Sequence, residues 1–67
     1  MTVHARIREL RQQLGLDEDE LALQAGLSVA TIRHIEQGNM QPNGSTLDRL
    51  ARALRTTAAE LGKPEEW

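Results

Sequence analysis

Apolar residues recur along this chain at the three- and four-residue spacing of a single helix face, in one segment after another. Val3, Ile7, Leu10 and Leu14 form such a stripe, which predicts a helix over residues 3–14 with Thr2 at its N-cap and Gly15 as its stop. Asp17 and Glu20 stand at the spacing of a capping box, and Leu21, Ala22 and Ala25 follow as the apolar face of a second helix that Gly26 ends. Ser28 caps a third helix, with Ile32 and Ile35 as its core stripe and Gly38 as its stop. Asn43 or Ser45 caps a fourth, whose inward positions are Leu47, Leu50, Ala51 and Leu54. Thr57 opens a short fifth helix carrying Ala58 and Leu61. Gly62 closes it, and Pro64 blocks its continuation. The expectation is an all-α fold of five helices, with residues 1–63 as one domain and 64–67 as a tail. Its predicted buried set is Ile7, Leu10, Leu14, Leu21, Ala22, Ile32, Ile35, Leu47, Leu50 and Leu54.

The second and third helices are separated only by a short glycine-containing turn, Ala25-Gly26-Leu27-Ser28, which is the layout of a helix-turn-helix. At 3.6 residues per turn the third helix divides into two sides. Ser28, Thr31, Ile32 and Ile35 lie on one, and Val29, Ala30, Arg33, His34 and Gln37 on the other. The ordered set Leu21-Ala22, Ala25-Gly26-Leu27-Ser28, Thr31-Ile32, Ile35-Glu36 and Gly38, continued by Pro42 and Thr46-Leu47, resembles the helix-turn-helix of phage repressor and Cro-type (XRE-like) regulators over roughly residues 3–62. That resemblance implies a compact repressor-type domain in which helix 29–36 enters the DNA major groove.

It also implies roles for individual residues. Arg11 aligns with the family arginine that pairs with the glutamate ending the recognition helix, here Glu36. Val29 and Ala30 stand at base-reading positions and can pack on a thymine methyl, while His34 can donate to a base acceptor. Arg33 can take guanine bidentately or hold a phosphate. Ser28 at the helix start, and Gln37, Asn39, Gln41 and Asn43 in the following polar loop, are candidates for the DNA backbone. After the cap residue, where the family commonly has a glutamine touching phosphate, this chain has Glu18, which is expected to face phosphate with like charge.

Composition narrows the alternatives. The net charge of −2 is unlike the basic footprint common in DNA binders, but it is local. Residues 1–16 carry +2, Asp17-Glu18-Asp19-Glu20 carry −4, residues 21–60 carry +1 and residues 61–67 carry −1. Acidic residues in a helix's first turn favour the helix dipole. Arg6 and Arg8, and on the fourth helix Arg49, Arg52 and Arg55, are expected to be solvated. Trp67 is the only aromatic residue, so the core must be aliphatic, and Trp67 is a candidate dimer contact. There is no cysteine, and neither His4 nor His34 has a metal-ligating side chain four places on; no cofactor and no metal site are expected. No nucleophile triad, phosphate loop or paired carboxylate supports an enzyme. No apolar run approaches a membrane span and nothing like a signal peptide follows Met1, so the expected compartment is the cytoplasm. Two functions remain open. One is a dimeric repressor on palindromic double-stranded DNA; the alternative is a protein-interaction or antitoxin-like module on the same scaffold.

Overall fold

In a computed structural model the described residues are 2–62, and they form five helices: α1 (Val3–Gln13), α2 (Glu18–Ala25), α3 (Val29–Glu36), α4 (Gly44–Ala53) and α5 (Ala58–Leu61). No strand occurs among the described residues. The tail 64–67, with the dimer contact assigned to Trp67, lies outside them.

Every helix starts on a side-chain cap. Thr2 Oγ1 accepts from Ala5 N–H, Ser28 Oγ from Thr31 N–H, Asn43 Oδ1 from Thr46 N–H and Thr57 Oγ1 from Glu60 N–H. At α2 the capping box is complete: Asp17 Oδ1 accepts from Glu20 N–H at 2.7 Å, and Asp17 N–H donates to Glu20 Oε1 at 2.9 Å. Of the two candidates for the α4 cap, Asn43 takes the role. The caps satisfy N–H groups that have no partner within the helix, a contribution of roughly 1 kcal/mol each.

The helices pack α2 against α3 and α4, α4 against α5, and α1 against α3 and α5. Their shared core is Ile7, Leu21, Ala22, Ala25, Ile32, Ile35, Leu50, Ala51, Ala53, Leu54 and Leu61. Three residues of the predicted buried set depart from it. Leu10 and Leu47 are half-buried against the edge of the cluster, because so small a domain has no further layer to cover them. Leu14 is 37% exposed, since α1 stops at Gln13 and the chain turns away from the helix face at Gly15. Leu61, which the predicted buried set did not include, is fully buried.

The turn of the helix-turn-helix depends on Gly26, which sits at φ +70°. Its left-handed conformation lets Leu27 N–H return to Ala22 C=O at 2.9 Å and swings the chain into α3. A side chain there would be strained by φ, and its Cβ would also lie 3.0 Å from the Arg49 guanidinium. At the end of α4 the same kind of closure, Thr56 N–H to Ala51 C=O at 2.9 Å, is made by Arg55 at φ +61°, with no glycine.

Candidate nucleic-acid interface

α3 is seated from below by Ile32 and Ile35, both fully buried, and locked at its far end by Glu36. Glu36 is the only buried charged residue among those described, at 3% exposure. Arg11 grips its carboxylate with both edges of a fork: Nε donates to Oε2 at 2.8 Å and Nη2 to Oε1 at 3.0 Å. Arg11 Nη1 also donates to Leu16 C=O at 3.0 Å, and Arg8 Nη2 donates to Glu36 C=O at 2.6 Å. The Arg11–Glu36 pair therefore ties α1, the α1–α2 turn and the end of α3 into a single unit. The hydrogen bond to Glu36 holds Arg11 above the ordinary arginine pKa against the opposing effect of burial, with the Glu36, Glu18 and Asp17 charges adding to the rise. No buried side-chain nitrogen or oxygen among the described residues lacks a partner, the condition that makes a buried pair tolerable.

Two arginines expected to be solvated, of which Arg8 is exposed and Arg6 half-buried, also close helix ends. Arg8 takes the α3 carbonyl just described, and Arg6 Nη1 reaches the α5 carbonyls of Glu60 at 2.9 Å and Leu61 at 3.3 Å. These are carbonyls of the last helical turns, where cationic donors are favoured. Arg8 lies one turn before Arg11 on the same helix, so its approach to Glu36 had a signal in the spacing; the Arg6 contact, spanning 54 residues, had none. Arg49 also has a partner, though a weak one, with Nη1 3.5 Å from Gly26 C=O.

The outward face of α3 presents Ala30, Arg33, His34 and Gln37, all exposed. Val29 departs from its expected placement: it is half-buried and packs against the core cluster, because the first turn of α3 leans on the rest of the domain. Ser28 is exposed, but its hydroxyl is engaged by the cap and by Thr31 Oγ1 at 2.8 Å. In the loop after α3, Gly38 at φ +78° returns Asn39 N–H to His34 C=O at 2.9 Å. The His4 ring lies against Gly38, so that a Cβ there would come within 3.2 Å of it. The loop's amides form one exposed group: Asn39 Nδ2 donates to Gln37 Oε1 at 3.2 Å and Gln41 stands beyond them. Asn43 is spent in part on capping α4.

Glu18, expected to face phosphate with like charge, has a partner that its sequence position did not signal: its Oε1 accepts from Arg33 Nε at 3.3 Å, with the two side chains 34% and 56% exposed. The two helices of the motif thus carry an ion pair across their outer junction. No group of His, Asp or Glu able to hold a metal ion occurs among the described residues, and none of their helices is long and apolar enough to cross a membrane.

A helix capped on a short glycine turn, pinned from behind and exposing a polar face beside a polar loop, defines a class. The helix-turn-helix family profile matches residues 7–61. The HTH-type transcriptional regulator YazB of Bacillus subtilis is 34% identical over 61 residues, covering 91% of this chain and 88% of its own. Among solved structures, the P22 c2 repressor in complex with a synthetic operator superposes with a TM-score of 0.89 at 29% identity, covering 97% of this chain and 98% of that one. The restriction-modification controller protein C.AhdI of Aeromonas hydrophila superposes with a TM-score of 0.84 at 32% identity, covering 88% and 89%. The chain belongs to the helix-turn-helix family of DNA-binding transcriptional regulators.

Proposed function

We propose that this protein is a sequence-specific repressor, acting in the cytoplasm as a homodimer on a palindromic operator and without catalytic activity. The observation that carries the reading is the mounting of α3. Its inner face is fully buried, its end is fixed by the Arg11–Glu36 pair, and its outer face exposes Ala30, Arg33, His34 and Gln37. A rigid helix with a free polar face and an adjoining amide-bearing loop is what major-groove insertion requires. The P22 c2 repressor chain that this fold matches over 98% of its residues was solved on a synthetic operator. In this reading Ala30 and His34 meet base edges, Val29 contributes only its exposed edge to a thymine methyl, and Gln37, Asn39 and Gln41 hydrogen-bond the phosphate backbone. Occupancy of the operator excludes polymerase.

Protein association has one observation in its favour: Leu23 on α2 is 83% exposed, away from the core. Titration of generic duplex DNA at low salt separates the two readings. The repressor reading requires binding that weakens steadily as salt rises, because nonspecific association is electrostatic. Absence of binding at low salt, with a protein partner captured instead, replaces it by the interaction-module reading.

A further inference from the structure

The Glu18–Arg33 pair occupies the outer junction of α2 and α3, and only one edge of the arginine is used. Nε donates to Glu18 Oε1, whereas Nη1 and Nη2 make no hydrogen bond to the described residues. A guanidinium carries its donors in a rigid plane, so holding the Nε edge fixes the direction of the two terminal N–H groups at the far end. Arg33 is therefore a fork whose direction is biased by one exposed contact, not locked by it. Two acceptor classes in a DNA groove fit such a fork: a phosphate, and the O6/N7 edge of guanine.

The carboxylate beside the fork decides between them. A phosphate seated on Arg33 would bring its negative charge next to Glu18, and the arginine's charge is already offset by that neighbour. A guanine edge carries no net charge and is repelled far less than a phosphate, and the contact reduces the side-chain freedom that binding would otherwise have to freeze. We propose that Glu18 is a specificity-determining positioning residue, holding the Arg33 fork for one guanine in each half-site and turning it away from phosphate. This rests on the insertion of α3 into the major groove. The unused Oε2 of Glu18 is then an acceptor beside the same base pair, suited to a cytosine N4 amine.

The test begins with selection of preferred duplexes from a randomised pool by the parent protein. Affinities are then compared for single-base variants of the selected site with the parent, Glu18→Gln and Arg33→Lys. The parent is expected to prefer G·C at one position per half-site by about tenfold or more. Arg33→Lys keeps the charge and loses the fork, so it should lose that preference at that position alone, with its salt dependence unchanged. Glu18→Gln should bind generic duplex more tightly at low salt and lose several-fold of the same preference, while melting with the parent. Retention of the preference in Glu18→Gln, or an equal loss at every position, overturns the positioning role. A parent that binds no duplex at low salt overturns the insertion of α3, and that role with it.

Discussion

Two arginine–glutamate pairs connect α3 to its neighbours, and their surroundings give them opposite duties. Arg11–Glu36 is bidentate, at 2.8 and 3.0 Å, with side chains 13% and 4% exposed. Arg33–Glu18 has a single contact at 3.3 Å, with side chains 56% and 34% exposed. The buried pair cannot be relinquished, because a charge left alone at Glu36 would have no water to turn to. The exposed pair costs little to open, since water and salt compensate each partner. The first fixes α3 against α1; the second leaves the Arg33 guanidinium exposed on the outer face. The same pair of functional groups thus lies buried on the inner side of the last turn of α3 and exposed on its outer side.

Removing one partner of the buried pair should produce the largest effect. Arg11→Ala or Glu36→Ala is expected to cost about 3–5 kcal/mol, close to the roughly 5 kcal/mol available to a domain this small. Thermal unfolding measured by circular dichroism should show either variant largely unfolded or melting far below the parent. The double variant should be much less damaging than the sum of the singles; strict additivity in that cycle would show that the pair does not act as a unit. Leu50→Ala supplies the scale for the core under α3. It is expected to cost ~2–5 kcal/mol, and an unchanged melting curve would mean that α4 does not underlie the domain as described.

Much of this frame was legible in the chain. Caps are encoded within a few residues, so Thr2, Asp17, Ser28 and Thr57 mark four helix starts, and the fourth helix is capped by Asn43, one of the two candidates its sequence offered. The Arg11–Glu36 contact came through family resemblance, not through spacing. What could not be read depends on how helices cross. Glu18 and Arg33 are fifteen positions apart on different helices, and Arg6 meets α5 from the other end of the chain. Val29 follows the periodicity of an exposed position, yet its small size lets the first turn of α3 settle onto the core. Leu14 continues an apolar stripe one residue past the point where its helix ends.

Arg55 offers a smaller effect of opposite sign. Its φ of +61° is the left-handed conformation that glycine supplies at Gly26. For an L-residue this costs roughly 1–2 kcal/mol, partly offset in Arg55→Gly by the greater freedom of an unfolded glycine. The net expectation is a gain of about 1 kcal/mol, or a Tm higher by roughly 4–8 °C. A lower Tm would mean that the arginine side chain contributes more than its backbone costs.

The exposed pair should give the smallest change in stability. Glu18→Ala and Arg33→Ala are each expected to shift stability by less than about 1 kcal/mol, while both alter DNA binding. A shift as large as that of Arg11→Ala would erase the distinction between the two pairs.

The most direct measurement is a titration of the isotopically labelled protein with duplex DNA, followed by the amide resonances of each residue. The account predicts that Glu18, Ala30, Arg33, His34, Asn39 and Gln41 shift together and saturate with the DNA, while amides of the α1–α5 contact around Arg6 and Glu60 stay where they are. Shifts concentrated around Leu23 or along α5, with α3 unmoved, would contradict it.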